Sequence, residues 1–217
     1  MELIRQKKSD KCEYFEIPFF EKNKRWILAD EKVRREIENY ENKCIFANGG
    51  QYEKFGDYCE IGNGMVSGLD RAFVLSDEFL KNNSLNENEK KAVLQVIKAK
   101  NIKAFSSQKI TNYIFVKEGL EEKEFARDYP QFFALLSKNR AALEKRYNYG
   151  RNLKFWEWAF LRNYSLFSNG QEKIFVPCKE RITKKSRFRF TYAGKSVFPT
   201  QDVTAIYKKS STREHLF

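Results

Sequence analysis

The sequence has few residues with which to build a metal site or a nucleophilic active site. It contains one histidine, His215, and four cysteines that lie far apart: Cys12, Cys44, Cys59 and Cys178. Zinc sites need four sulfur or nitrogen ligands in closely spaced pairs, and no C-x-x-C pair is present. We therefore expect no metal site, and we expect the cysteines to be buried free thiols in a reducing compartment. A single histidine also offers no Ser-His-Asp or Cys-His arrangement, so we predict no catalytic residue.

Long apolar runs are absent as well. No stretch approaches the ~20 apolar residues of a membrane-spanning helix. The first residues, MELIRQKKSD, lack the apolar core of a signal peptide. These absences predict a cytoplasmic protein without a membrane partner.

Aromatic and basic residues are abundant instead. The 217 residues include 20 Phe and 11 Tyr, and 41% are apolar, which predicts a globular chain with a sizeable core. The net charge of +12 is unevenly distributed. Residues 1–137 hold 23 Lys or Arg and 23 Asp or Glu, whereas residues 138–217 hold 18 Lys or Arg and only 6 Asp or Glu. Such a block predicts a polyanionic partner, and nucleic acid fits best because Lys and Arg release the counterions of its phosphates. A membrane surface would favour a basic amphipathic helix, whereas these charges alternate with aromatic residues in strand-like sequence.

A glycine-punctuated region follows a predicted helix within residues 26–43 that has Asp30 as its N-cap. Gly62, Gly64 and Gly68 separate short apolar runs near residues 60 and 74, which predicts a strand, a tight turn and a second strand. The spacing G-x-G-x-x-x-G, with no strongly amphipathic helix directly after it, does not match the dinucleotide fingerprint. An additional hypothesis is that the glycines let this backbone approach DNA closely.

Further elements alternate irregularly along the chain. Ser84 and Glu87 form an S-x-x-E capping box, which predicts a helix containing Val93, Val96 and Ile97. A second helix is predicted from Pro130 to about Arg146, with this buried stripe: Phe132, Leu135, Leu136 and Leu143. Strands are predicted at KITNYIFVK, KIFVPCKERI, RFRFTYAG and VTAIYKK. This order indicates an α+β fold with a mixed or antiparallel sheet flanked by helices.

Basic residues beside aromatic ones are the candidates for DNA contact. In a strand, Arg187 and Arg189 share one face, where they can read guanine edges or grip phosphates, while Phe188 and Phe190 anchor the other face. Trp156 lies among arginines and lysines, and stacking on an extruded base competes there with the commoner role of core packing. We assign the following residues to DNA binding: Arg71, Arg140, Arg146, Arg151, Lys154, Trp156, Arg181, Lys184, Lys185, Arg187 and Arg189. The alternative for the basic residues is a solvated surface.

Five segments carry a family resemblance, in this order: Gly56-Asp57 with IGNGMVSGLDRAFVLS, IKAKNIKAF, DYPQFFALLSKNRAALEKR, Trp156-Glu157-Trp158 and KIFVPCKERI. Together they resemble the TaqI-like C-terminal specificity domain of N6-adenine DNA methyltransferases and type IIG restriction-modification enzymes. Ser67 and Asn101 depart from the family pattern, which has Thr and Asp there. The resemblance implies a connecting helical segment over residues 1–43 and a target-recognition domain over residues 44–217, truncated at its C-terminus.

The same resemblance implies the partners. They are double-stranded DNA and a methyltransferase domain that binds S-adenosylmethionine in the parent enzyme. This chain itself needs no cofactor: it has no S-adenosylmethionine loop, and its four prolines are never adjacent, which excludes the [ND]-P-P-[YF] motif. We therefore expect no enzymatic activity from the chain alone. Two alternatives remain open, a non-specific RNA or single-strand binding module and a protein-interaction domain with an acidic partner.

Overall fold

The computed structural model describes Ile27 and residues 29–46, 55–107, 109–180 and 189–209. The chain divides into two compact units, residues 1–57 and 58–217. No helix in the described ranges is long and apolar enough to cross a membrane.

Helix α1 (Glu31–Phe46) belongs to the first unit. Its start agrees with the sequence, because the backbone N–H of Val33 donates to Oδ1 of Asp30 at 2.9 Å. Asp30 therefore satisfies one of the amide groups that a helix leaves without a partner in its first turn. A short helix, α2 (Phe55–Tyr58), leads into the second unit.

An antiparallel sheet forms one layer of the second unit. Its strand order is β1 (Cys59–Asn63), β10 (Val203–Lys208), β7 (Lys173–Pro177) and β8 (Thr191–Ala193). Side chains alternate between its faces: Ala205 and Tyr207 are buried, whereas Ile206 between them is only half-buried. Strands β7 and β10 confirm the strands predicted at KIFVPCKERI and VTAIYKK, although β7 ends at Pro177. Of the strand predicted at RFRFTYAG, β8 covers only Thr191–Ala193, and Arg189 and Phe190 lie before it.

A second, mixed sheet packs in the same unit. Its order is β2 (Val74–Leu75), β6 (Thr111–Ile114), β3 (Val93–Ile97) and β9 (Val197–Pro199). Strands β3 and β9 are parallel, and the other pairs are antiparallel. A two-stranded ribbon joins β4 (Ile102–Lys103) to β5 (Ser106–Ser107). The predicted α+β class is therefore confirmed.

The second unit also contains short helices around the two sheets. They are α3 (Asp70–Phe73), α4 (Asp77–Asn82), α5 (Glu87–Lys91), α6 (Glu122–Asp128), α7 (Pro130–Ser137), α8 (Arg140–Glu144) and α9 (Tyr164–Phe167). Helix α7 begins with Pro130 in its first turn, as predicted. It ends at Ser137 instead of continuing to Arg146, because Asn139 leaves the helical conformation (φ −112°, ψ 9°) before α8 begins. Asparagine favours such turns, since its side chain competes with the backbone for hydrogen bonds.

Trp158 lies at the centre of the core of the second unit. Its ring meets those of Phe73, Tyr113 and Phe115 edge-on, with centroids 5.4–6.2 Å apart. The indole N–H donates to the carbonyl of Ile114 at 2.8 Å, so the ring is buried with its polar atom satisfied. Residues from both sheets and from α6, α7 and α8 belong to the same buried cluster.

The two strands predicted on either side of the glycines exist, but they do not pair with each other as a hairpin. Strand β1 pairs with β10, and β2 pairs with β6, so the two apolar runs belong to different sheets. Of the three glycines, only Gly68 has a positive φ (85°). Turn signals define a reversal of the chain, but they do not identify the strand that each neighbouring run will meet.

The predicted helix after Ser84 is wrong. The capping box is formed by Asn86 and Glu89, and helix α5 ends at Lys91. Val93, with the apolar residues that follow it, forms β3 instead, whose neighbour β9 is about a hundred residues away in sequence. Pairing with a distant strand here overrides the local helical spacing, because β-branched residues are good strand formers.

Candidate nucleic-acid interface

The glycine loop, residues 62–68, is fixed by backbone contacts on both sides. Val66 and Phe160 exchange two N–H···O bonds of 2.9 and 3.0 Å, and Met65 donates to the carbonyl of Pro199 at 3.1 Å. A Cβ at Gly64 would lie 2.2 Å from the carbonyl oxygen of Thr200, so only glycine fits. The loop is thus held against the protein interior, and the close approach that Gly64 permits is to the protein's own backbone.

Arg146 is hydrogen-bonded to this loop and to the segment that contains Lys154 and Glu157. Its guanidinium donates to the backbone carbonyls of Ser67 (3.0 Å), Lys154 (3.2 Å) and Glu157, and it lies over the ring of Phe73. Burial lowers the pKa of Arg146 to about 10. A cation that is shared among three internal carbonyls stabilises the fold, so we remove Arg146 from the candidate contacts.

Trp156 is also part of the core. It is 2% exposed and stacks on Phe125, with ring centroids 4.8 Å apart and an interplanar angle of 19°. A ring in this position is not available to a base without a rearrangement of the core. The packing role, which the sequence left beside the stacking role, is the one that the structure displays.

Three predicted contacts are paired with an acidic segment, residues 118–122. Arg140 binds Glu122 through two bonds of 2.5 and 3.0 Å, Lys154 binds Glu121 at 2.6 Å, and Arg151 binds Glu118. The pKa of Glu122 is lowered by its bonds with Arg140. Exposed pairs of this kind are worth little, so a phosphate can compete for the cations. In the free chain, however, their charge is locally balanced.

The remaining residues predicted to contact DNA differ in their exposure, and some lie outside the described residues. Arg189 is half-buried, where it binds Glu180 at 2.7 Å and the carbonyls of Ala99 and Ile102 at 3.2 and 3.1 Å. Arg71 lies on α3 and is exposed. The others lie outside the described residues: Arg181, Lys184, Lys185 and Arg187.

An exposed aromatic surface, formed by Tyr147, Tyr149, Phe160 and Arg162, was missed by the sequence analysis. The ring centroids of Tyr147 and Tyr149 are 4.6 Å apart, those of Tyr149 and Phe160 are 5.3 Å apart, and the Arg162 guanidinium lies 5.5 Å from the Phe160 ring. Tyr147 is 74% exposed. Tyr149 has a left-handed backbone (φ 56°), which is costly for an aromatic residue and is often found at binding sites. The signal that could have revealed it is the Tyr-Asn-Tyr-Gly-Arg run at 147–151 in the basic block.

The cysteines follow the prediction only in part. The three in the described ranges are free, as expected, but only Cys59 is buried. Cys44 is exposed and Cys178 is half-buried, while Cys12 lies outside the described residues. In the described residues no cluster of three or more His, Cys, Asp or Glu side chains is placed to hold a metal ion.

Sequence comparison relates nearly the whole chain to type II methyltransferases. It is 38% identical over 213 residues to M.HindII of Haemophilus influenzae and 36% identical over 204 residues to M.HincII of the same species, in each case across 94% of this chain. M.MjaIV of Methanocaldococcus jannaschii is 35% identical over 153 residues, or 69% of this chain. The chain spans only 40%, 38% and 49% of the length of these three relatives. It is therefore homologous to a part of such enzymes.

Two further comparisons add little. No family model matches the chain. A solved structure of the type IIL restriction-modification enzyme MmeI in complex with DNA aligns with 70% of this chain and 19% of its own, at a TM-score of 0.49 and 12% identity. A likeness at this level carries no argument about function.

Proposed function

We propose that this chain is a sequence-specific recognition module for double-stranded DNA in a type II methyltransferase system. Its role is to position a target adenine for a methyltransferase domain outside this sequence. That domain, in the same parent chain or in a separate subunit, would bind S-adenosylmethionine. The chain alone then performs no methyl transfer.

The observation that carries the proposal is the extent of the similarity. It covers 94% of this chain but only about two fifths of the two Haemophilus methyltransferases. A methyltransferase that acts on a base within a duplex must both recognise a site and do chemistry on an extruded base. The [ND]-P-P-[YF] motif expected for the chemical step cannot be formed by four separated prolines. The shared part therefore fits the recognition task better than the catalytic one.

The distribution of charge supports the same function. Residues 138–217 hold 18 of the 41 basic residues and only 6 of the 29 acidic ones. Acidic partners within the second unit balance several of the described cations, as in the three pairs with residues 118–122. The basic run from Arg181 to Arg187 contains no acidic residue, so it is the stronger candidate for binding phosphates.

A fluorescence-anisotropy titration of the full chain with duplex DNA across a salt series tests binding. Between about 50 and 200 mM salt, six or more phosphate contacts would weaken the affinity by about a thousandfold or more. Rounds of selection from a random duplex pool should then enrich one site, which binds at least about a thousandfold more tightly than random duplex. Equal affinity for all duplexes would contradict the recognition role.

A second candidate, a single-strand binding module, is favoured by the aromatic surface. Exposed rings close to arginines are the usual platform on which unpaired bases stack. On this alternative a single strand binds more tightly than the duplex of the same sequence, and Tyr147→Ala reduces that preference. If the duplex binds more tightly and Tyr147→Ala changes both affinities equally, the alternative is excluded.

A further inference from the structure

A concave site with several lysines lies at one end of the antiparallel sheet. Its volume is about 450 Å³, and it is lined by Gly170, Gln171, Glu172, Lys173, Ile174, Tyr192, Lys195, Lys208 and Lys209. These residues come from the segment before β7, from β7 and β8, from the turn between β8 and β9, and from the end of β10. We call it the lysine pocket. None of its residues was among the contacts predicted from the sequence.

The register of the sheet explains why these side chains converge. Ile174 and Tyr192 are direct cross-strand partners on the face of the sheet that lies away from the core. Lys208 lies on the same face of β10, because it alternates with the buried Tyr207. Tyr192 is 58% exposed and Ile174 is half-buried, so together they form an apolar floor with lysines around it.

The charge of the pocket is positive and poorly compensated. Lys195 and Lys208 have no carboxylate partner in the described part of the chain. Glu172, the one acidic residue of the lining, is bonded to Tyr192, and this bond raises the pKa of the phenol. Lys195 is exposed and Lys208 is half-buried, and both line the pocket beside the apolar floor.

A buried cation adds to this potential. Lys173 is 1% exposed, and its Nζ donates to the carbonyls of Val197 (2.8 Å), Lys195 (3.0 Å) and Phe167 (3.3 Å). Burial lowers the pKa of Lys173 to about 8, so its amino group is still mostly protonated at neutral pH. Its charge is screened less than that of a surface lysine, because little solvent surrounds it.

We infer that the lysine pocket binds a phosphodiester of the DNA backbone, with the phosphate on Lys195 and Lys208 and the deoxyribose against Ile174 and Tyr192. The inference rests on the proposed DNA-binding function and adds to it a defined backbone anchor. A site with an apolar floor and cations at its margin suits a sugar-phosphate unit better than a small hydrated anion. Contacts of this kind fix the register of a protein on DNA and leave the reading of bases to other residues.

The first test compares two doubly substituted chains in duplex-DNA titrations over a salt series. Lys195→Gln/Lys208→Gln should lower the dependence of log K on log salt by about 2, close to one per lost phosphate contact. The loss should be similar for specific and random duplexes. Lys81→Gln/Lys91→Gln removes the same charge from exposed positions on α4 and α5, and it should leave the slope close to that of the wild type. Equal slopes for the two variants would overturn the inference and leave the proposed function intact.

A second test does not depend on duplex recognition. Titration of the ¹⁵N-labelled chain with a thymidine dinucleotide, which has one phosphodiester, should shift the amide signals of residues 170–174 and 192–195. The shifts should saturate, and they should be lost in Lys195→Gln/Lys208→Gln but kept in the control. If the chain fails to bind duplex but shows these shifts, the recognition proposal fails and the pocket remains. Shifts that are absent, or that lie elsewhere, would refute the pocket.

Discussion

Several basic side chains of this protein, considered residue by residue, donate to backbone carbonyls within the fold and do not form a free basic surface. Arg146 and Lys173 each donate to three backbone carbonyls, and Arg189 donates to two carbonyls and to Glu180. Carbonyls in loops need donors as much as any other buried polar group does. A long cationic side chain with several N–H groups can satisfy carbonyls from separate segments at once.

Arg146→Met should unfold more easily than the wild type. The substitution keeps an apolar stem but leaves the carbonyls of Ser67, Lys154 and Glu157 without their charged donor. The free energy of unfolding should fall by about 2–4 kcal/mol. Urea denaturation followed by tryptophan fluorescence measures this loss, and Arg71→Met, on the exposed side of α3, should change stability by less than about 0.5 kcal/mol. If Arg146→Met has wild-type stability but weaker DNA binding, then Arg146 is a contact residue after all.

Lys173 makes a prediction about pH. Its pKa is about 8 in the folded chain and 10.5 in its ordinary state, so between these values the unfolded chain binds more protons. The free energy of unfolding therefore rises with pH across this window, by up to roughly 3 kcal/mol. Below pH 8 the amino group is protonated in both states, and the buried charge then destabilises the fold to its full extent. Since other groups titrate there too, the measurement is the difference between the wild type and Lys173→Met in urea denaturation at several pH values. A difference that is constant from about pH 7.5 to 10 would refute the assignment.

The elements of this fold were predicted from the sequence where the determinants are local. Asp30 capped the first helix, Pro130 began α7, and the apolar runs at KIFVP and VTAIYK became β7 and β10. The errors came from distant partners. Val93 belongs to a strand because it pairs with Ile114 of β6, and Val96 and Ile97 pair with β9, about a hundred residues away. Nothing near residue 93 in the sequence indicates these partners.

The candidate site was harder to predict for the same reason. Sequence composition identified the basic block but not the acidic segment that neutralises Arg140, Arg151 and Lys154, since the partners lie 18 to 33 residues away. It also could not identify the lysine pocket, because Lys195 and Lys208 meet only through the register of three strands. Charge is countable in a sequence, whereas its compensation depends on tertiary contacts.

The junction between α5 and α7 offers a test at the same scale. The buried carboxylate of Glu89 accepts the N–H of Asn86 at 2.9 Å and that of Gln131 at 2.7 Å, so it caps the first turns of two helices. Glu89→Gln replaces one acceptor oxygen with a second donor, which leaves an N–H facing an NH₂ group. We expect a loss of about 1–3 kcal/mol in the free energy of unfolding, measured by urea denaturation.

A matched control lies two residues earlier on the same helix. Glu87 is exposed and pairs with Lys90 on the surface of the helix, so Glu87→Gln should cost no more than about 0.5 kcal/mol. Equal losses for the two variants would show that the charge of α5, rather than the double cap, determines the stability.

For the whole molecule, the net charge of +12 does not show which basic residues are available to bind a polyanion. Residues 138–154 are strongly basic in sequence, yet three of their cations are paired with residues 118–122. The run from Arg181 to Arg187 contains no acidic residue in its sequence, and the lining of the lysine pocket contains one, Glu172. Binding of a polyanion depends on the cations that are available to contact phosphates and release their counterions. The basic segment that is paired with residues 118–122 and the run from Arg181 to Arg187 can therefore be compared directly by substitution.

The comparison is between two triple variants that remove the same charge. Arg181→Gln/Lys184→Gln/Lys185→Gln should lower the salt dependence of duplex binding by up to about 3, because each lost phosphate contact contributes close to one. Arg140→Gln/Arg151→Gln/Lys154→Gln should lower it by clearly less.

The smaller effect is expected because the second set already shares its charge with Glu118, Glu121 and Glu122, and phosphate must displace these carboxylates in order to bind. Thermal unfolding of both variants ensures that each is measured while folded. A larger effect in the paired set would mean that DNA recruits those cations by breaking their internal pairs. The acidic segment would then act as a placeholder for phosphate, and the DNA-binding face would lie on α8 and the loop that follows it.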